Sequence, residues 1–227
     1  MYTDNSVFIF YIALVGFVMQ ILNDFYYKRL KRSLFEMTHW NYVISLAFLF
    51  FSSDLGYSII SFNIYYHLLY VSSCLGMTVY FGYYLGNHHP FENSSSFVSF
   101  MQHFCIPTIL LIRVLQEYDN ITVIDFLILF IIMVLQYGAQ WTWKIQYNED
   151  LYAGCDLSTR EGNVIYISVM SFGIATFWIV YTLKIFDVNL PDYFSVIVFV
   201  SSFLFYIIRN SVSETYLKEH PDALQWK

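Results

Sequence analysis

The sequence predicts an all-α protein: a polytopic transmembrane bundle of about seven spans, forming one integral-membrane domain over residues 1–227. Three observations carry this. Seven apolar stretches each reach the roughly 20 residues needed to cross about 30 Å of hydrocarbon. Hydrophobic residues make up 58% of the chain and charged ones only 12%, with a mean hydropathy of +0.52, against a charged share of about 25% in soluble domains. The apolar runs are continuous and lack the period-two alternation of barrel strands, and helices pair their own backbone groups inside a bilayer.

The first span, near 5–25, ends at the basic run Lys28-Arg29-Leu30-Lys31-Arg32 and reads as a retained anchor. It has no basic lead and no small-residue cleavage site before that run. The second, near 38–60, opens with Thr38 and His39. The third, near 64–86, contains Cys74, expected as a small core residue like Cys105 in the next span. The fourth, near 96–117, holds His103 on the order of 10 Å beyond its start at about 1.5 Å per residue, and ends with Arg113 and Glu117. The fifth, near 121–142, runs into the aromatic group Gln140-Trp141-Thr142-Trp143-Lys144-Ile145-Gln146-Tyr147, expected as an interfacial anchor. The sixth and seventh lie near 163–186 and 192–210. Short connections leave no room for a separate soluble domain, and no internal repeat is visible.

Lys and Arg gather on the cytoplasmic side of membrane proteins. With the basic cluster of residues 28–32 inside, seven crossings place the N-terminus outside and the C-terminus in the cytoplasm. All the Lys and Arg except Arg113 and Lys184 then fall on the cytoplasmic side. The expected location is an endomembrane or the plasma membrane. Asn93-Ser94-Ser95 would be inside and unmodified; Asn120-Ile121-Thr122 would be outside but close to the membrane. Nucleic-acid binding is excluded by the lack of a basic face. Three cysteines form neither a disulfide frame nor a zinc pattern, so no cofactor or metal is expected. The expected partners are membrane lipids and proteins within the membrane, met through the 23 Phe and 21 Tyr that fill interfaces and head-group belts.

Ionisable groups at membrane depth are costly and therefore candidates for function. Towards the cytoplasmic leaflet lie Thr38, His39 and His103. Desolvation favours a neutral imidazole at His103, which can act as a base towards a hydroxyl or join two helices by a hydrogen bond. Neighbouring helical residues point about 100° apart, so Thr38 and His39 should face different partners. Towards the other leaflet lie Asp54, His67, Arg113, Glu117, Asp125 and Asp187. Arg113 and Glu117 have ion-pair spacing. Asp54, His67 and Asp125 have metal-ligand chemistry but come from separate helices, so an interface network is the expectation.

Known seven-helix chemistries fail on their required residues. No Lys in 192–208 can carry a retinal Schiff base, the last two spans contain no His for a zinc hydrolase, and the rhodopsin-type receptor motifs are absent. His88-His89-Pro90 lacks the upstream His of an elongase histidine box and reads as a solvated turn.

Leu34-Phe35-Glu36-Met37-Thr38-His39-Trp40-Asn41-Tyr42 resembles the "Lys-Phe/Tyr-Leu-Thr-Phe-x-Asn/Asp-Leu" start of the second helix in one family. That family is the androgen-induced protein and androgen-dependent TFPI-regulating protein family of membrane threonine hydrolases. Phe100-Met101-Gln102-His103-Phe104-Cys105-Ile106-Pro107, followed by Thr108-Ile109-Leu110-Leu111, is similar to its "Asn-His-x-x-His-Thr-x-x-x-Pro" helix. Trp141 through Tyr152 is similar to its "Trp…Tyr…Gly-x-Trp-x-Tyr-Pro" segment, so the likeness covers roughly residues 30–155 in family order.

The resemblance implies an intramembrane hydrolase of fatty acid esters of hydroxy fatty acids, with Thr38 as nucleophile and His103 as base, working through an acyl-enzyme. There are departures. The Gly-Gly-x-Trp-Lys lead is missing, and Glu36 stands near its Lys. Phe104 follows His103 where the family has Thr, the proline is displaced by one position, and Ala153-Gly154 replaces a Pro. The family is drawn with six helices and seven are read here. Beside this reading stand a non-catalytic scaffold, accessory subunit or lipid-binding bundle, and a transporter or channel using the Asp54, His67 and Asp125 group. No oxyanion donor is assignable from sequence.

Overall fold

The structure is a computed structural model and describes residues 5–26, 28, 30–52, 62–85, 100–152, 155–191 and 193–219. Asp54, His88-His89-Pro90, Asn93, Arg29 and the pair Ala153-Gly154 lie outside the described residues. The described residues are all helix and connecting turn. The main helices are α1 (Asn5–Tyr26), α2 (Met37–Ser52), α3 (Phe62–Leu85), α4 (Ile106–Gln116), α5 (Val123–Tyr147), α6 (Arg160–Ile185) and α7 (Tyr193–Glu219). A short helical turn, Leu30–Ser33, leads towards α2, a π-helical turn, Met101–Cys105, leads into α4, and a 3-10 turn, Tyr118–Asn120, leads towards α5.

Three of these are long and apolar enough to cross a bilayer: Phe8–Tyr26 of α1, Val123–Tyr147 and Arg160–Ile185. Shorter apolar helices cover Met37–Phe51, Met101–Gln116 and Tyr193–Ile208. Their outward faces are apolar, as Leu127, Ile131 and Leu135 on α5 and Ile167 and Ile179 on α6 illustrate. In water such faces would be a liability; hydrocarbon is the solvent that fits them.

Helix α3 is the centre. Leu69 through Tyr80 are buried without a break, and α2, α4 and α6 pack around it. Small residues set the approach. A Cβ on Gly76 would meet the Pro107 Cα at 3.3 Å, and one on Gly173 would meet the Cys74 carbonyl oxygen at 2.8 Å. Such close backbone contact is how helices associate where burial from water supplies no drive. A larger residue at Gly76 would push α4 away from α3, and one at Gly173 would push α6 away from it.

Local signals fix the ends. Thr122 caps α5 in a reciprocal box with Asp125, whose Oδ2 accepts the Thr122 N–H at 2.7 Å. Thr159 Oγ1 accepts Gly162 N–H at 3.1 Å at the start of α6. Helix α5 continues five residues beyond the expected 142 and stops at Asn148, in the left-handed conformation at φ 53°. Its last turns are held by Lys144, which bridges to Asp150 at 2.8 Å. Helix α7 runs nine residues past 210. In both cases polar residues extend a helix beyond its hydropathic window.

The π-helical turn follows from Pro107. Proline has no N–H for the carbonyl four residues back, which is that of His103, and its ring crowds that carbonyl. Widening the preceding turn relieves this: Ile106 N–H bonds Met101 O across five residues.

Candidate polar site at the basic end

Thr38 and His103 lie in the two places their helices dictate. Thr38 is in the first turn of α2, half-buried. One turn on, Tyr42 donates its hydroxyl to the Ala13 carbonyl at 3.0 Å, so this stripe of α2 faces α1. His103 is 5% exposed on the π-helical turn. Met101, two residues earlier, packs over Gly16 of α1, and Pro107, four residues later, lies on Gly76 of α3. His103 is thus flanked along the chain by one residue that reaches α1 and one that reaches α3.

The histidine beside Thr38 is engaged elsewhere. His39 Nε2 lies 2.8 Å from Asp24 Oδ2, and Nδ1 lies 3.2 Å from Glu36 Oε2, a charge contact without hydrogen-bond alignment. Ser33 Oγ donates to the same Asp24 oxygen at 2.8 Å. Arg32 Nε pairs with Glu36 Oε1 at 3.0 Å, and its Nη2 donates to the Leu151 carbonyl. Gln20 also touches His39. Ser33, Glu36 and His39, three residues apart across the turn between the Leu30–Ser33 helix and α2, gather around Asp24 and Arg32. An imidazole held between two carboxylates is a clasp and is not free to act as base towards a hydroxyl.

The start of α2 meets the far end of α5 and the turn after it here. The Tyr152 hydroxyl accepts Met37 N–H at 2.6 Å, next to Thr38, and burial near Glu36 pushes the Tyr152 phenol up from its ordinary value. Gln136 Nε2 donates to the Phe35 carbonyl at 2.6 Å, and the Phe35 and Trp143 rings lie 5.4 Å apart. Phe35 thus bridges one face of α5 from Gln136 to Trp143.

Beneath it runs a stripe of polar side chains at i, i+4 and i+7: Gln136, Gln140 and Trp143, 0%, 2% and 5% exposed. Gln136 Oε1, Gln140 Nε2 and Trp143 Nε1 have no hydrogen-bond partner, nor has the hydroxyl of Tyr166 on α6, 5% exposed. The helices bring Tyr166 to the stripe. Gly173 of α6 abuts Met133 of α5, so two turns away in this antiparallel pair Tyr166 is level with Gln140. The Tyr137 and Tyr166 rings, 5.4 Å apart, agree. Each such orphan, left empty, costs about 1–3 kcal/mol. In the sequence the aromatic group looked like an anchor, and Trp143 in fact faces inward.

In the loop beyond, Cys155 donates to Gly162 O at 3.5 Å, and burial pushes its thiol up to about 11. Hydrogen bonds from the Ser158 hydroxyl and N–H, then Lys144, hold Asp156 below the usual carboxylate range.

At the opposite end of the bundle, Asp125 Oδ1 lies 2.5 Å from His67 Nδ1, while Oδ2 takes the Thr122 N–H and hydroxyl. Arg113 pairs with Glu117 at 2.9 Å, as their spacing implied. Among the described residues no three His, Cys, Asp or Glu are placed to hold a metal ion. No family model, curated protein or solved structure matches this chain.

Proposed function

We propose that this protein is a seven-span membrane bundle, N-terminus outside and C-terminus cytoplasmic, that binds bilayer lipid with its polar contacts at the basic end. One observation carries the reading: on α5 and the neighbouring α6, four side chains at least nine-tenths buried have polar atoms without a hydrogen-bond partner, and α5 has an exposed apolar surface. Buried polar groups persist where something completes them. The basic residues Arg32 and Lys144 at the same end support its cytoplasmic placement. The test is native mass spectrometry of the detergent-purified protein. Bound lipid that survives delipidation of the annular shell is the expected result, and a bare chain rejects the reading.

A second reading, membership of the threonine-hydrolase family with lipid-ester hydrolysis by Thr38 and His103, is favoured by the Tyr152–Met37 bond. That bond joins two of the resembling stretches beside Thr38, and His103 occupies a π-helical turn, a feature frequent at functional sites. Fluorophosphonate labelling of wild type, Thr38→Ala and His103→Ala tests it. Labelling lost in Thr38→Ala supports hydrolysis; identical labelling of all three, or none, removes it.

A further inference from the structure

We propose that the cavity between the end of α4 and the start of α7 binds a neutral polyhydroxylated group, a sugar either free or as the head of a membrane amphiphile. This site shares no residue with the buried stripe near the basic end, so each can fail without the other.

The cavity lies at the end of the bundle opposite the basic cluster. It is partly open and holds about 360 Å³, inside the range of about 300–1,000 Å³ typical of small-molecule sites. One wall is the last turn of α4 with Tyr118; the other is the turn at residues 189–191 with Phe194 and Ser195 of α7. Two hydrogen bonds tie these walls together. Gln116 Nε2 donates to Ser195 Oγ at 3.0 Å, and the Tyr118 hydroxyl donates to the Val188 carbonyl.

Charge limits what fits. None of the described residues lining the cavity is charged. Nearby, Arg113 is paired with Glu117 at 2.9 Å, and Lys184 donates to the Ile121 carbonyl at 2.6 Å. An ion would lose its water there and gain no countercharge. A neutral occupant is favoured.

Hydrogen-bonding capacity narrows the class. Ser195 Oγ accepts from Gln116 and still has its own O–H to donate, while Gln116 Oε1 accepts. The exposed Asn189 amide adds a donor and an acceptor. An ether or ester oxygen, which only accepts, would answer half of these groups. A hydroxyl both donates and accepts, and several on one small frame make a polyol. Ile112, Leu115 and Phe194 add an apolar wall, which suits the C–H face of a sugar ring. Gln116 ends α4 and Ser195 lies in the first turn of α7, so the cavity sits where two apolar helices finish, at head-group level.

The experiment varies the hydroxyls and holds the rest constant. Full-length protein in an amine oxide detergent is given equimolar octyl glucoside, its tetra-O-methyl ether and octyl phosphate, and retained adducts are weighed by native mass spectrometry. Wild type should keep the glucoside about tenfold over either competitor, because methylation removes the donors and phosphate adds an unmatched charge. Asn189→Ala and Ser195→Ala should each lower glucoside retention about threefold, the worth of one hydrogen bond. Gel filtration and melting check both variants. If either fails to fold, photo-cross-linking of wild type by a diazirine-bearing octyl glucoside replaces it, with labelled peptides around Gln116 and Asn189 expected. Displacement by excess free glucose names a soluble sugar as the source, and resistance to it names an amphiphile; both uphold the polyol site. Equal retention of the glucoside and its methyl ether, preference for the phosphate, unchanged variants or cross-links elsewhere overturn it.

Discussion

The two ends of this bundle handle buried polarity in opposite ways. At the end holding His67 and Asp125, one carboxylate absorbs an imidazole, a backbone N–H and a hydroxyl, and no described side chain there buries an unpaired nitrogen or oxygen. At the basic end a similar clasp, with Asp24 holding Ser33 and His39, stands beside a stripe whose donors have nothing to bond. A saturated network acts as a fastener between helices. An unsaturated one is maintained at an energetic cost, and that cost is the basis of the lipid-binding proposal. The difference separates function from architecture more sharply than residue type does, since both ends contain His and Asp.

Substitutions should break this comparison in order of size. Asp125→Ala leaves the His67 and Thr122 donors without their acceptor and should destabilise the protein by about 3 kcal/mol, the scale for leaving buried donors unsatisfied. Thermal unfolding in detergent reads it, and a loss under 1 kcal/mol would show the fastener to be ornamental. Asp24→Ala strips two partners, Ser33 and His39, and a loss of about 2 kcal/mol is expected.

Tyr166→Phe should act with the opposite sign. In delipidated protein it removes an orphaned hydroxyl, so stability should rise by up to about 1 kcal/mol. A destabilised variant would mean that the hydroxyl is already satisfied and the two ends are alike.

The smallest effect belongs to Asp156, at the basic end but in water. Its carboxyl titrates below the ordinary range, so its contribution is present above the unfolded carboxylate pKa and is lost as the pH falls through the lower folded value. An Asp156→Asn variant should match wild type in melting at low pH and fall slightly below it near neutrality. In the same loop, Cys155 should resist alkylation at pH 8 and react only as the pH nears 11, read by mass shift; fast labelling at pH 8 would place the thiol outside its buried site.

Much of the fold was legible. The windows near 5–25 and 64–86 agree with α1 and α3 within about two residues, because hydropathy is a local property summed along the chain. The Arg113–Glu117 pair was equally open to reading, since four residues on a helix bring side chains together whatever surrounds them. The candidate site was only partly legible. Thr38 and His103 stood out by type and by motif, yet which way each faces depends on α1 and α3, and no spacing within α2 or α4 encodes that.

The amino-acid sequence by itself determined that the described residues are helical and built of long apolar runs, because hydropathy is a matter of local composition, while the end of α5 at Asn148 lay beyond the apolar window. Only the tertiary structure decided which buried polar atoms are answered. His67 meets Asp125 across 58 residues, Gln136 meets Phe35 across 101, and Tyr166 arrives level with Gln140 by the register of two antiparallel helices. A hydrogen bond needs its partner within about 3 Å, and that distance is set by how whole helices pack.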